Sequence, residues 1–290
     1  MNRKDFLTKG FLGFSFLFSW NKVGTDLSAQ TEPIPANQFI GFNHIKNTDS
    51  FIMDNMVLHK ADTRGHADHG WLNAYHTFSF ANYYNPERVH FGVLRVLNDD
   101  TIAGGMGFGT HPHDNMEIIT IPLEGDLAHK DSMGNVATIK NGEIQVMSAG
   151  SGVTHSEFNP NKDQRTKLLQ IWVFPNKKNV TPRYDQIRLN PEDRINKLQQ
   201  ILSPNADDAG VWIHQNAWFH LGNLSKGTSV PYQLKSEGNG VYFFIIKGDL
   251  TINGVAVNTR DGLGIWNTEN FEILADSDAE ILLMELPMKV

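Results

Sequence analysis

The 290-residue chain contains no cysteine. That absence excludes disulfides, iron–sulfur clusters, thiolate-held metals and cysteine nucleophiles together, so any metal must rest on histidine, aspartate and glutamate. Basic runs are missing as well. The 25 Lys+Arg are outweighed by 32 Asp+Glu, for a formal net charge of −7. With nothing to track a phosphate backbone, no nucleic-acid partner is expected. There is no P-loop, no Gly-x-Ser-x-Gly elbow and no His-Glu-x-x-His helix. The glycine-rich stretch Gly104-Gly105-Met106-Gly107-Phe108-Gly109 has no helix after it to bind phosphate, and reads as backbone slack entering a strand. The apolar run at residues 11–20 is ten long, well short of the roughly 20 needed to cross a bilayer.

What the chain does have is histidine, twelve in all. His111-Pro112-His113 is answered 44 residues later by His155-Ser156-Glu157. Each cluster puts two metal-capable side chains at i and i+2, which point the same way on a β-strand. Two such strands side by side aim three imidazoles and one carboxylate into one space. That set suits a redox-active or Lewis-acidic divalent ion with open coordination positions better than a closed structural site.

The length allows two domains of ordinary size, and 40% hydrophobic residues support a substantial core. Residues 1–29 read as a signal peptide, with Arg3, Lys4 and Lys9 before the apolar run and Leu27-Ser28-Ala29 as a cleavage site. Arg3-Lys4-Asp5-Phe6-Leu7-Thr8-Lys9 resembles a twin-arginine signal with Lys4 in place of the second arginine. The mature protein is therefore expected to be periplasmic or secreted, without a membrane span. Residues 30–55 read as a linker or lead-in.

From Met56 onward, short β-type runs alternate with turn signals. Strands are expected at residues 92–97, ending at Asn98-Asp99-Asp100, and at 117–123, 144–147 and 167–174. Asp131-Ser132-Met133-Gly134-Asn135 reads as a hairpin turn. One helix is expected: Asn190 caps it, Pro191 opens it, Ile195, Leu198, Ile201 and Leu202 form its apolar face, and Pro204 stops it. The chain also repeats itself. Glu124-Gly125-Asp126-Leu127 recurs as Lys247-Gly248-Asp249-Leu250, Asn141-Gly142 as Asp261-Gly262, and Thr110-His111-Pro112-His113 is echoed by Ser229-Val230-Pro231-Tyr232. No histidine follows His220, so the second copy has no counterpart of His155.

These residues resemble the cupin superfamily. Gly105, His111, His113 and Glu117 fit its first motif, and Gly142, Gly150, Gly152, His155 and Asn159 its second, with Ser148 where proline is common. The resemblance narrows to the pirin family. It is carried by Gly107-Phe108-Gly109-Thr110-His111-Pro112-His113, by Met147-Ser148-Ala149-Gly150-Ser151-Gly152-Val153-Thr154-His155-Ser156-Glu157, by Arg64-Gly65-His66 through Trp71, and by His76-Thr77-Phe78-Ser79-Phe80. Asp131-Ser132-Met133-Gly134-Asn135 resembles the bacterial branch similar to quercetin 2,3-dioxygenase. The resemblance implies an all-β bicupin: two tandem jelly-roll-like β-barrels joined by a short helix. Residues 56–185 would form a metal-binding domain and 186–290 a domain without a metal site.

Carried over by position, the metal ligands would be His111, His113, His155 and Glu157. A generic cupin pattern would use Glu117 instead; the pirin pattern selects Glu157 and leaves Glu117 to orient a histidine ring. The resemblance implies a monomeric dioxygenase that uses one divalent transition metal: iron first, with nickel, cobalt, copper, manganese and zinc compatible. Its partners would be O2 and a small phenolic such as a flavonol. Glu157 would take the 3-hydroxyl proton, and the central ring would open with release of carbon monoxide. An apolar barrel interior would hold the flat substrate. The other reading the resemblance allows is a redox or small-molecule sensor that binds without turnover. Of the remaining histidines, His129 could line the pocket or face solvent, while His66, His69 and His76 could form a second site but are explained by packing. Trp172 and Phe174, on a late strand, could help wall an apolar cavity, with core packing the first expectation.

Overall fold

A computed structural model of the chain describes residues 50–53 and 55–290; the expected signal peptide and nearly all of the lead-in lie outside the described residues. Nearly all the regular secondary structure of the described chain is strand, arranged as two barrels of matching design. In the first, a seven-stranded sheet runs in the order Arg183–Arg188, Glu143–Ser148, Glu117–Glu124, Thr166–Val173, Leu94–Ile102, Leu72–His76, Gly65–Asp68. It faces a four-stranded sheet ordered Gly107–His113, Val153–Phe158, Leu127–Asp131, Val136–Ile139. The second barrel repeats the small sheet as Ser229–Gln233, Asn270–Ala275, Leu250–Ile252, Val255–Val257. Identical strand order in both small sheets gives the internal repeat a structural counterpart.

The repeated glycines mark one demanding turn in each copy. Gly125 (φ +71) and Gly248 (φ +84) occupy the left-handed region, and a Cβ there would lie 2.9 Å from the Arg165 carbonyl oxygen or 2.3 Å from that of Asp278. Only glycine meets both conditions without strain.

Opposite its small sheet the second barrel has an eight-stranded large sheet, in the order Ser50–Met53, Met56–His59, Gly262–Ile265, Asn239–Lys247, Ala279–Pro287, Trp218–Leu224, Leu198–Ser203, Val211–Trp212, and the two large sheets pack against each other by their outer faces. Ile119, Ile121, Val146, Leu169 and Ile171 of the first barrel share one buried cluster with Phe219, Tyr242, Phe244, Leu282 and Met284 of the second. Central strands are thus buried on both sides, which explains near-continuous apolar runs such as Glu117–Glu124 and Asn239–Lys247. Side-chain alternation sends Ile119 and Ile121 outward and Ile118 and Thr120 into the barrel.

Three features depart from the sequence reading. The helix is a single 3-10 turn, Pro191–Arg194; Asn190 caps it by accepting from the Glu192 N–H, and Leu198–Ser203 is a strand. Pairing of that strand with Trp218–Leu224 overrides the apolar spacing that suggested a longer helix. Second, Met56–His59 does not open the first barrel. It pairs with Gly262–Ile265 as part of the second large sheet, so the first-domain boundary at 56 is displaced. The reason is edge protection: it satisfies backbone groups that Gly262–Ile265 would otherwise expose. Arg183–Arg188, paired with Glu143–Ser148, does the same for the first barrel and runs past residue 185. Third, Asn98-Asp99-Asp100 does not end a strand but lies within Leu94–Ile102, where Asn98 bonds His76 and Asp99 pairs with Arg64.

Candidate metal centre

The i, i+2 rule holds on both histidine strands. Val153–Phe158 lies antiparallel to Gly107–His113, with His155 opposite His111 and Val153 opposite His113. The His111, His113 and His155 rings converge, with centroids 4.4 to 4.9 Å apart. Beyond His155 the register breaks, and Glu157 stands opposite Phe108 across a bulge. Gly107 is what permits the strands to approach there: a Cβ would lie 2.2 Å from the Glu157 carbonyl oxygen.

The ring nitrogens are prepared for a cation. His111 must donate its Nδ1–H to the Gly109 carbonyl oxygen at 2.8 Å, which leaves Nε2 as a lone-pair donor. The Nε2 atoms of His111 and His155 lie 3.0 Å apart. Two nitrogens at about 2.1 Å from one ion and at right angles to each other are separated by about 3.0 Å, so the pair fits adjacent positions on a divalent transition ion. Burial, with His111 adding repulsion, lowers the His113 pKa to about 4. Burial and the neighbouring histidines lower that of His155 to about 2. Both rings are therefore neutral at physiological pH, as ligation requires.

Glu157 is 3% exposed. Gln170 Nε2 donates to both its carboxylate oxygens, at 3.0 and 3.3 Å, and Gln170 Oε1 accepts from the Thr120 hydroxyl at 3.2 Å. Burial raises the Glu157 carboxyl to about 7 despite these bonds. The four expected donors fall into two overlapping triads. His111, His113 and His155 form one; His155, Glu157 and His129 form the other, with donor atoms within 4.8 Å of one another in each.

Glu117 stands apart from both. Its carboxylate accepts from the Ser148 hydroxyl at 2.6 Å, and burial raises its pKa to about 7. Among the described residues its side-chain hydrogen-bond partner is Ser148, a residue of the neighbouring strand Glu143–Ser148.

His129 is the residue that sequence reasoning undervalued. It is 2% exposed, directly opposite Glu157, with its ring 5.3 Å from that of His155. Its Nε2 bonds the Asp131 carboxylate at 3.1 Å, and Asp131 also accepts from the Met133 and Asn135 backbone N–H groups that shape the hairpin turn. His129-Lys130-Asp131 is a third i, i+2 pair, the same signal that singled out the other two clusters. Trp172 also belongs to the site, edge-on to His113 at 4.9 Å and to Phe80 at 5.3 Å, whereas Phe174 packs on the interdomain core. His66 stacks on Tyr75 and His76 bonds Asn98, and neither joins a metal-capable group among the described residues.

The barrel interior beside the cluster is polar, contrary to the apolar chamber expected. Gln145, Thr120, Gln170, Asn98 and His76 stand opposite one another on successive strands, all buried. Apolar groups are confined to clusters around Ile118 and Met147 and around Leu127 and Leu168. In the second barrel, aligning Pro231 with Pro112 puts Val230, Tyr232, Ile273 and Ala275 where the first has His111, His113, His155 and Glu157. Only the first barrel carries the donors.

Comparison with known proteins agrees with this geometry. The pirin family signature matches residues 56–173, and that of the quercetinase C-terminal cupin domain matches residues 200–286. Quercetin 2,3-dioxygenase of Escherichia coli K12 is 49% identical over 232 residues, 80% of this chain and 99% of that protein. The crystal structure of YhhW from Escherichia coli superposes with a TM-score of 0.77 at 47% identity, covering 81% of this chain and 98% of that one. That of the bacterial pirin YhhW in complex with nickel(II) gives a TM-score of 0.76 at 47% identity, covering 81% and 100%. A bicupin fold, one donor-bearing barrel and this degree of identity place the chain in the pirin family, beside the bacterial quercetin 2,3-dioxygenases.

Proposed function

We propose that this chain is a metal-dependent dioxygenase of the quercetin 2,3-dioxygenase type, which opens the central ring of a flavonol or related phenolic with O2 and releases carbon monoxide. The observation that carries this reading is the convergence of His111, His113 and His155 beside the buried Glu157, in a chain 49% identical to a quercetin 2,3-dioxygenase. A divalent ion held by His111, His113, His155 and Glu157 supplies Lewis acidity toward the flavonol oxygens and a redox partner for O2. Iron is the proposed native ion, on the strength of a nitrogen and carboxylate donor set with open positions.

The protein's own groups do the rest. Glu157 accepts the 3-hydroxyl proton, and the Gln170 amide fixes both oxygens of that carboxylate for the task. His111 and His113, both half-buried, form the open side of the site, where Trp172 and Phe80 offer aromatic surface to a flat substrate. The deep burial of His155 and Glu157 keeps bulk water from the reacting centre. The protein is proposed to act as a monomer outside the cytoplasm; the pirin match beginning at residue 56, behind a basic and then apolar leader, supports export.

Two variants test the roles. His155→Ala is expected to lose the metal by elemental analysis. Glu157→Gln is expected to keep much of it while turnover of quercetin falls by about 10²–10⁴-fold. Full turnover in Glu157→Gln would remove the carboxylate from the reaction.

A further inference from the structure

We propose that the buried amide row of the first barrel, with Gln145 at its far end, is a recognition subsite for polar substituents of a phenolic ligand. The ligand class rests on the function proposed above; the subsite itself rests on geometry.

Gln145 is 1% exposed. Its neighbours Ile144 and Val146 point outward into the interdomain core, so Gln145 points into the barrel. It stands opposite Thr120, which stands opposite Gln170, the residue that holds Glu157. Thr120 and Gln170 satisfy each other, but neither the nitrogen nor the oxygen of the Gln145 amide has a protein partner among the described residues. This is not an isolated defect. Ten buried side-chain polar atoms are unpartnered among the described residues, and six of them belong to Asp100, His129, Gln145, His155 and Trp172, all around this one interior. The second barrel, which lacks the donors, contributes fewer.

An unpaired buried amide destabilises a fold, and an apolar residue of the same shape would be better tolerated there. Hydrogen-bonding capacity left open beside a reactive centre points to a ligand that completes it. An amide offers one donor side and one acceptor, which a phenolic hydroxyl or a hydroxyl–carbonyl pair satisfies together. Asp100, 4% exposed and with an unpartnered carboxyl oxygen, lies on the same inner face two residues from Asn98. From Gln170 to Gln145 is two strand spacings, about 10 Å, which suits a substituted fused-ring aromatic reaching inward from the metal ligands.

The test uses the metal-loaded full chain under anaerobic conditions, so that binding is read without turnover. Quercetin is compared with 3-hydroxyflavone, which keeps the 3-hydroxyl and carbonyl but lacks the outer hydroxyls. Gln145→Leu and the shape-conserving Gln145→Met are expected to weaken quercetin by about 5- to 150-fold, the range of one lost buried hydrogen-bonding group. Binding of 3-hydroxyflavone should change less than threefold, metal content should be unchanged, and the melting temperature should rise by about 2–4 °C. Equal weakening of both flavonols means that Gln145 does not read the outer hydroxyls, and no change in either means that ordered water alone satisfies it; each overturns the proposal. So does a wild-type protein that binds neither flavonol. Absence of oxygen-dependent turnover in a protein that still discriminates between them would sink the dioxygenase reading and leave the subsite standing.

Discussion

At the scale of single residues, the site is a problem of protonation as much as of position. Burial leaves His155 and His113 neutral far below physiological pH, while it holds the Glu157 carboxyl at about 7. The three histidines hold the ion, and Glu157 adds to its affinity only as carboxylate, so engaging Glu157 at pH 6 displaces its proton and at pH 8 need not. Apparent metal affinity therefore rises with pH through about 7 and then levels off. The metal-free fold responds the other way. A carboxyl whose folded pKa lies above its unfolded value contributes stability at low pH, and that contribution is lost as pH rises from about 4.5 through about 7. Calorimetry of metal binding in two buffers of different ionisation enthalpy should show about one more proton released at pH 6 than at pH 8. Equal release at both would mean that Glu157 enters already ionised.

Residue patterns were also where the sequence was most legible. The His111/His113 and His155/Glu157 pairs were readable because i, i+2 spacing on a strand needs no tertiary knowledge. Glu117 was harder: whether it faces a histidine or Ser148 depends on the neighbouring strand Glu143–Ser148, which no local spacing reveals. The inner row of amides was illegible for the same reason. Gln145, Thr120 and Gln170 are far apart in the chain and become neighbours only through register.

Among elements, strands announced themselves by turn residues and apolar runs, and the one helical expectation shrank to a single turn. Asn190 and Pro191 signalled its start correctly, but Leu198–Ser203 is fixed by its sheet partners. The element that matters most for function is the strand pair Gly107–His113 and Val153–Phe158, whose separation sets the distance between His111 and His155. Gly107→Ala would drive a Cβ to within 2.2 Å of the Glu157 carbonyl oxygen and force the strands apart at the bulge. The expected outcome is a loss of metal affinity of at least about tenfold, the scale on which disturbed ligand support acts. A titration monitored by elemental analysis checks this. Undiminished affinity would show that the bulge tolerates a wider spacing than the ligands need.

For the molecule as a whole, duplication divided the labour. The first barrel keeps the donors, while the second fills the matching positions with Val230, Tyr232, Ile273 and Ala275 and presents its outer face to the shared core. That shared core, together with the strand Met56–His59 that crosses into the second sheet, ties the two barrels into one cooperative unit. Scanning calorimetry should therefore show a single unfolding transition. A divalent ion at 100 times its dissociation constant should stabilise that whole transition by about 2.7 kcal/mol, although every ligand lies in one barrel. Two transitions, only one of them metal-sensitive, would show that the barrels unfold independently.

The central claim is that the His111, His113, His155 and Glu157 cluster supports oxygen-dependent ring opening. Its most direct test is to follow quercetin loss, O2 uptake and carbon monoxide release together in the purified, iron-loaded protein. The account predicts equal amounts of all three in the wild type and none above background in His155→Ala. Unchanged quercetin under air with the metal in place, or quercetin loss without carbon monoxide, would contradict it.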